Sequence, residues 1–116
     1  MRTPHRPERM ADLIRAEVAA MLLHDLKDPR IGFTTVTDVR LSRDLHHVKV
    51  FVSVLGSEQQ QKDTLEGLGS AVGFVRHEIS YRLKLRTTPE LRFVLDRSGE
   101  VAARIEELIE KTNRER

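Results

Sequence analysis

Apolar positions along this chain follow two periods, and the places where one gives way to the other divide it into elements. From about Pro7 to Leu26 the apolar residues recur every three or four positions. Met10, Leu13, Ile14, Val18, Met21 and Leu22 then mark one face of a helix. Proline suits its first turn, where a missing N–H is not needed. Asp28-Pro29-Arg30 ends it, because the residue before a proline is pushed out of the helical region. Gly32 permits the turn into a strand. Residues 33–42 are rich in β-branched types, and alternation puts Phe33, Thr35, Thr37, Val39 and Leu41 on one face. Residues 47–54 alternate more strictly, with Val48, Val50, Val52 and Val54 facing inward. The short polar stretch Arg43-Asp44-Leu45-His46 fits a hairpin, so the two strands are expected to be antiparallel.

The helical period then returns. Leu55-Gly56-Ser57 breaks the strand, and Ser57 with Gln60 three residues later reads as a capping box. The stripe Leu65, Leu68, Val72, Val75, Ile79 and Leu83 keeps one helix face buried. Two glycines, Gly69 and Gly73, interrupt the sequence without interrupting the stripe. Each costs a helix interior roughly 1 kcal/mol against alanine. Their presence predicts a bend, with a second helix up to the glycines and a third running on to about Leu85. Two reasons for the bend stay open: close packing against a neighbouring element, or close approach of a phosphate to exposed backbone. Thr87-Thr88-Pro89 is a stop signal. Leu91, Phe93 and Leu95 alternate with Arg92, Val94 and Asp96 as a third strand. Ser98 is placed to cap a last helix with Val101, Ile105, Leu108 and Ile109 on its apolar face. Three strands with helices on one face make an α+β sandwich. Its domain is expected over residues 7–110, between a flexible N-terminus (1–6) and a frayed polar tail (111–116).

Composition narrows the class. A chain of 116 residues is one domain, long enough to bury about two-thirds of its unfolded surface. Four Phe, one Tyr and no Trp mean an aliphatic core. There is no cysteine, so disulfides and cysteine-based zinc sites are excluded. No apolar run reaches membrane-spanning length, and the basic N-terminus lacks the apolar run of a signal peptide. A cytoplasmic protein is the expectation. No glycine-framed serine and no phosphate-loop motif occurs, and no enzymatic role is expected. The histidines, His5, His24, His46, His47 and His77, have no third ligand at a useful spacing, so no metal or other cofactor is expected.

Net charge is only +2, but the excess is uneven. Residues 71–97 hold six cations (Arg76, Arg82, Lys84, Arg86, Arg92, Arg97) against three acids (Glu78, Glu90, Asp96). By charge alone this is an ordinary solvated face. Beside the glycine bend it reads as a candidate phosphate surface. The candidate contacts are Gly69, Ser70, Ala71 and Gly73 at the bend, and Arg76, Arg82 and Arg86 after it. Arg82 and Arg86 are four apart and neighbours on a helix. Arg6 and Arg9 flank the start of the first helix, and Arg43 sits in the hairpin turn. Few aromatics could stack on bases; Phe51, Phe74 and Tyr81 are the candidates. Shape and phosphate recognition is therefore favoured over base reading.

Four stretches, taken together, carry a family resemblance. They are Asp28-Pro29-Arg30-Ile31; Val36-Thr37-Asp38-Val39 with Ser42-Arg43-Asp44-Leu45 and the valine strand; Ala71-Val72-Gly73-Phe74-Val75-Arg76; and residues 85–96, from Leu85-Arg86-Thr87-Thr88-Pro89 to Asp96. In order and across most of residues 8–110, the chain resembles the ribosome-binding factor A family. The resemblance implies a KH-like fold of type II topology, α-β-β-α(kink)α-β-α, with Ala-x-Gly at the kink. It implies a bacterial assembly factor that binds free small (30S) subunits and 16S rRNA and assists late maturation and rRNA processing. Growth in the cold, without catalytic activity, would be its setting. The implied partners are the small subunit with its rRNA and a ribosome-associated GTPase that releases the factor; membranes are not among them, and the chain is expected to be a monomer. The alternatives are a general KH-like module for other RNAs and a protein-interaction domain.

Overall fold

Valine-rich β2 is the central strand: β1 and β3 flank its two edges, and α1 and α2 cover one of its faces. The computed structural model describes residues 6–114, with side chains from residue 7. The elements are α1 (Arg6–His24), β1 (Thr34–Leu41), β2 (His47–Val54), α2 (Glu58–Arg82), β3 (Glu90–Leu95) and α3 (Ser98–Arg114). The three strands form one sheet in the order β1-β2-β3. β1 runs antiparallel to β2 through the expected hairpin, whereas β3 runs parallel to it. A parallel neighbour needs a long crossover, and α2 provides it. The architecture is the α+β arrangement expected, with a mixed sheet.

One face of the sheet is covered. Val48, Val50, Val52 and Val54 meet Ile14, Val18 and Met21 of α1 and Leu68, Val75 and Ile79 of α2 in a single cluster. Most of these side chains are completely buried, each contributing about 1.5–3 kcal/mol relative to exposure. α2 begins as its sequence demands. Ser57 Oγ accepts from the Gln60 N–H, and the Gln60 side chain accepts from the Ser57 N–H.

Several expectations are corrected. α2 is one unbroken helix from Glu58 to Arg82; the two helices expected on either side of the glycines are one. It ends at Leu83, before the expected Leu85, where Lys84 takes φ 53° and turns the chain. In β1 the inward residues are Val36 and Val39, three apart rather than two. A bulge between Val36 and Asp38 leaves Thr37 without a partner residue, which shifts the alternation. Phe33 precedes the strand and is 76% exposed, and Leu13 on α1 is 51% exposed. Ser98 is the first residue of α3 rather than its cap; Asp96 Oδ1 accepts its N–H at 2.9 Å. α3 itself buries no residue. Its apolar face of Val101, Ile105, Leu108 and Ile109 is more than half exposed. The radius of gyration is accordingly 17.0 Å, against roughly 13 Å for a compact chain of about this length.

Candidate RNA-binding surface

The glycines divide by what lies beside them. A Cβ built on Gly69 or Gly73 meets nothing within 4 Å, so neither serves close packing inside the domain. Both lie on the solvent side of α2 with Ser70, Phe74, His77 and Tyr81. Phe74, His77 and Tyr81 are spaced three and four apart, so they share a face beside the two bare positions. This outer strip of α2 is where another backbone can come close.

The packed glycine is Gly67, which the apolar pattern does not single out. A Cβ there would lie 2.8 Å from Ile31 Cγ1 and 3.3 Å from Arg30 Cβ. The turn after α1 is seated on this spot. Thr64 Oγ1 accepts from the Gly32 N–H at 3.0 Å and donates to the Arg30 carbonyl at 3.3 Å. Arg30 donates to Asp28 at 2.6 Å, to Ser70 at 3.1 Å and to Glu66 at 3.5 Å. The Arg30 guanidinium holds the Asp28 carboxyl down from the ordinary 3.8 to about 2. A signal for this existed: Gly67 is three residues from Thr64 and four from Ala71, on the buried side of the helix.

The arginines after the glycines also divide. Arg82 donates to Asp25 at 3.0 Å, to Glu78 at 3.1 Å and to Glu17 at 3.2 Å. It therefore fastens α2 to α1. The carboxylates, Asp25 foremost and then Glu17, make the guanidinium hold its proton more tightly than usual. Arg76 is half-buried; it donates to the Pro89 carbonyl at 2.8 Å and to Glu90 at 3.4 Å, fixing the entry to β3. Both have internal roles. By contrast, Arg9, Arg43, Lys84 and Arg86 are exposed, and none of the four takes part in an ion pair among the described residues. The side chain of Arg6 lies outside the described residues.

Two of these cations, Lys84 and Arg86, meet at one cavity. The cavity, of about 390 Å³, is lined by Met10 and Ile14 from α1 and by His46, Lys84 and Arg86 among others. Arg9 is the chain neighbour of Met10, and Arg43 that of Asp44, a further lining residue. Asp44 is engaged: it accepts from Ser42 Oγ at 2.6 Å and from the His46 N–H at 3.0 Å. Those bonds, the hydroxyl first, lower its pKa. The hairpin turn is held in shape while its cations stay available to a polyanion. Among the described residues no group of three or more His, Cys, Asp or Glu could hold a metal, and no helix is long and apolar enough to cross a membrane.

Comparison with known proteins follows the same outline. A family model described as ribosome-binding factor A matches residues 6–109. The chain is 48% identical over 109 residues to ribosome-binding factor A of Desulforamulus reducens, covering 94% of this chain and 91% of that one. The crystal structure of ribosome-binding factor A from Thermus thermophilus aligns with a TM-score of 0.70 at 26% identity, covering 81% of this chain and 100% of that chain. A homology model of the Thermus thermophilus factor, fitted into the cryo-EM map of its complex with 30S, aligns with a TM-score of 0.64 at 28% identity, covering 75% of this chain and 91% of that chain.

Proposed function

The chain belongs to the ribosome-binding factor A family, and from that premise we propose that it binds the free small ribosomal subunit and contacts its 16S rRNA. It assists late maturation and processing of that RNA as a non-catalytic monomer, and a ribosome-associated GTPase releases it. The observation that carries this reading is the set of exposed cations without ion pairs (Arg9, Arg43, Lys84 and Arg86), two of them lining one cavity, on a domain whose relative is fitted into a 30S complex. They supply a phosphate-tracking surface. The bare strip at Gly69, Ser70 and Gly73 admits a nucleic-acid backbone against α2, whereas Ala71, also expected there, packs toward the core. Arg76 and Arg82 support that surface from behind through their internal bonds.

Co-sedimentation tests this reading with purified small subunits, large subunits and assembled ribosomes, at low and moderate salt. Selective binding to free small subunits, weakening as salt rises, is the expected outcome. Binding to short RNAs but to no ribosomal particle would replace it with a general RNA-binding module.

A further inference from the structure

The sheet has a second face, turned away from α1 and α2, and it carries a row of like charges. Arg40, Lys49 and Arg92 are register partners across β1, β2 and β3, and all three are exposed. Neighbouring strands lie about 4.8 Å apart, so the row spans roughly 10 Å. Like charges directly opposite one another weaken strand pairing. One of the three is offset by an acid, and among the described residues the other two are not. Asp38 is bound to Arg40 at 3.1 Å, and Glu90 at the start of β3 is bound to Arg76 from α2. Lys49 and Arg92 have no ion-pair partner among the described residues.

The next row is apolar at its centre. Asp38, Phe51 and Val94 are register partners there, and the Arg40 guanidinium lies over the Phe51 ring at 5.2 Å. The one aromatic of this face is thus already covered. What the face offers is positive charge at fixed spacing, without a bare platform for a base.

We propose that this cationic row is a second RNA contact, which follows the phosphodiester backbone of ribosomal RNA on the side of the domain opposite the α2 strip. This rests on the reading of the chain as a subunit-binding factor. The occupant is RNA because charge complementarity favours a polyanion, and because phosphate contacts need no stacking surface. With one contact on α2 and one on the open sheet, the domain bridges two RNA segments.

The test compares wild type with a Lys49→Gln, Arg92→Gln double variant. A charge-matched control carries Arg15→Gln and Lys27→Gln on and just after α1. Each is measured by salt titration against purified small subunits and against an rRNA transcript. The double variant is expected to lose about tenfold in affinity at moderate salt. Its log–log salt slope should fall by roughly 0.7–0.9 for each lost phosphate contact. Its thermal melt should be unchanged or higher, since a like-charge pair is relieved, and the control should bind as wild type does. Equal losses in both variants, or no loss in either, would overturn the proposal. A wild type that binds the transcript but no particle removes the subunit reading, and the row then stands or falls on the transcript slopes. A wild type that binds neither ends both.

Discussion

α2 and α3 make an instructive pair. In sequence α3 has the cleaner apolar stripe, while α2 is interrupted by three glycines and a run of polar residues. In the structure α2 buries Gln61, Thr64, Gly67, Leu68, Val75 and Ile79, and α3 buries nothing. Amphipathic period shows that a helix has a face to cover; it does not show that its own domain covers it. What holds α2 is specific shape and bonding: a glycine against Ile31, a threonine bonded to the preceding turn, and an arginine shared by three carboxylates. α3 is joined at its start, where Glu100 accepts from Gln61 Nε2 at 2.6 Å and Asp96 caps the first turn.

That contrast can be overturned in four ways, taken from the largest expected effect downward. Leu68→Ala in α2 should cost about 2–5 kcal/mol, whereas Leu108→Ala in α3 should change stability by less than about 0.5 kcal/mol. Denaturant unfolding of both variants decides it, and similar losses would put α3 in the core. Next, Gly67→Ala should destabilise by about 1–3 kcal/mol, as an overpacked contact does. Gly69→Ala and Gly73→Ala should each stabilise by up to roughly 1 kcal/mol, as expected for open helix positions; thermal melts of the three variants would show opposite signs. Ending the chain after Arg97 removes the hydrogen bonds from the Ser98 N–H to Asp96 and from Gln61 to Glu100, and should lower stability by about 2 kcal/mol or less. A cooperative unfolding with a modestly lowered midpoint satisfies this.

The smallest effect is one of pH. Ser98, through its hydroxyl and its N–H, and then Thr37 hold the Asp96 carboxyl at about 2, and Arg30 does the same for Asp28. Carboxyls with a depressed folded pKa stabilise the fold above their ordinary value near 3.8. That contribution is lost as pH falls from about 4 toward about 2. Melting temperatures over this window should drop for wild type. Asp96→Asn should flatten the part tied to the α3 start, and Asp28→Asn the part tied to α2.

Much of this was legible along the chain where the determining partners are close in sequence. Val48 to Val54 declare a half-buried strand by alternation, Ser57 and Gln60 declare a helix start, and Arg43 to His46 declare a hairpin. The parts that were not legible depend on partners far away. Arg82 resembles a free surface arginine until Glu17 and Asp25, 65 and 57 residues earlier, are brought beside it. Thr37 falls in an alternating run, and only the pairing with β2 shows that it bulges. The helix cost of glycine is the same at residues 67, 69 and 73. Only the fold shows that the first touches Ile31 and the others touch nothing. The candidate arginines divide by exposure in a way the sequence did not show: Arg9, Arg43 and Arg86 are exposed without ion pairs among the described residues, while Arg76 and Arg82 are bonded within the domain.

The parallel pairing of β3 with β2 sets when this protein can exist as a domain during its own synthesis. Once Val54 has been made, the chain holds α1 and a two-stranded hairpin, whose inner valines still lack Leu68, Val75 and Ile79 of α2 and whose sheet still lacks its third strand. β2 keeps a bare edge until β3 arrives from beyond the α2 crossover. Thr37 Oγ1 then donates to Asp96 Oδ2 at 2.7 Å, closing a span of 59 residues. Local pieces form early, but the contacts that unite them are long-range and come together late. A chain stalled or cut before Leu95 is therefore an unfinished domain with exposed valines, a species prone to aggregate, rather than a smaller version of the same protein.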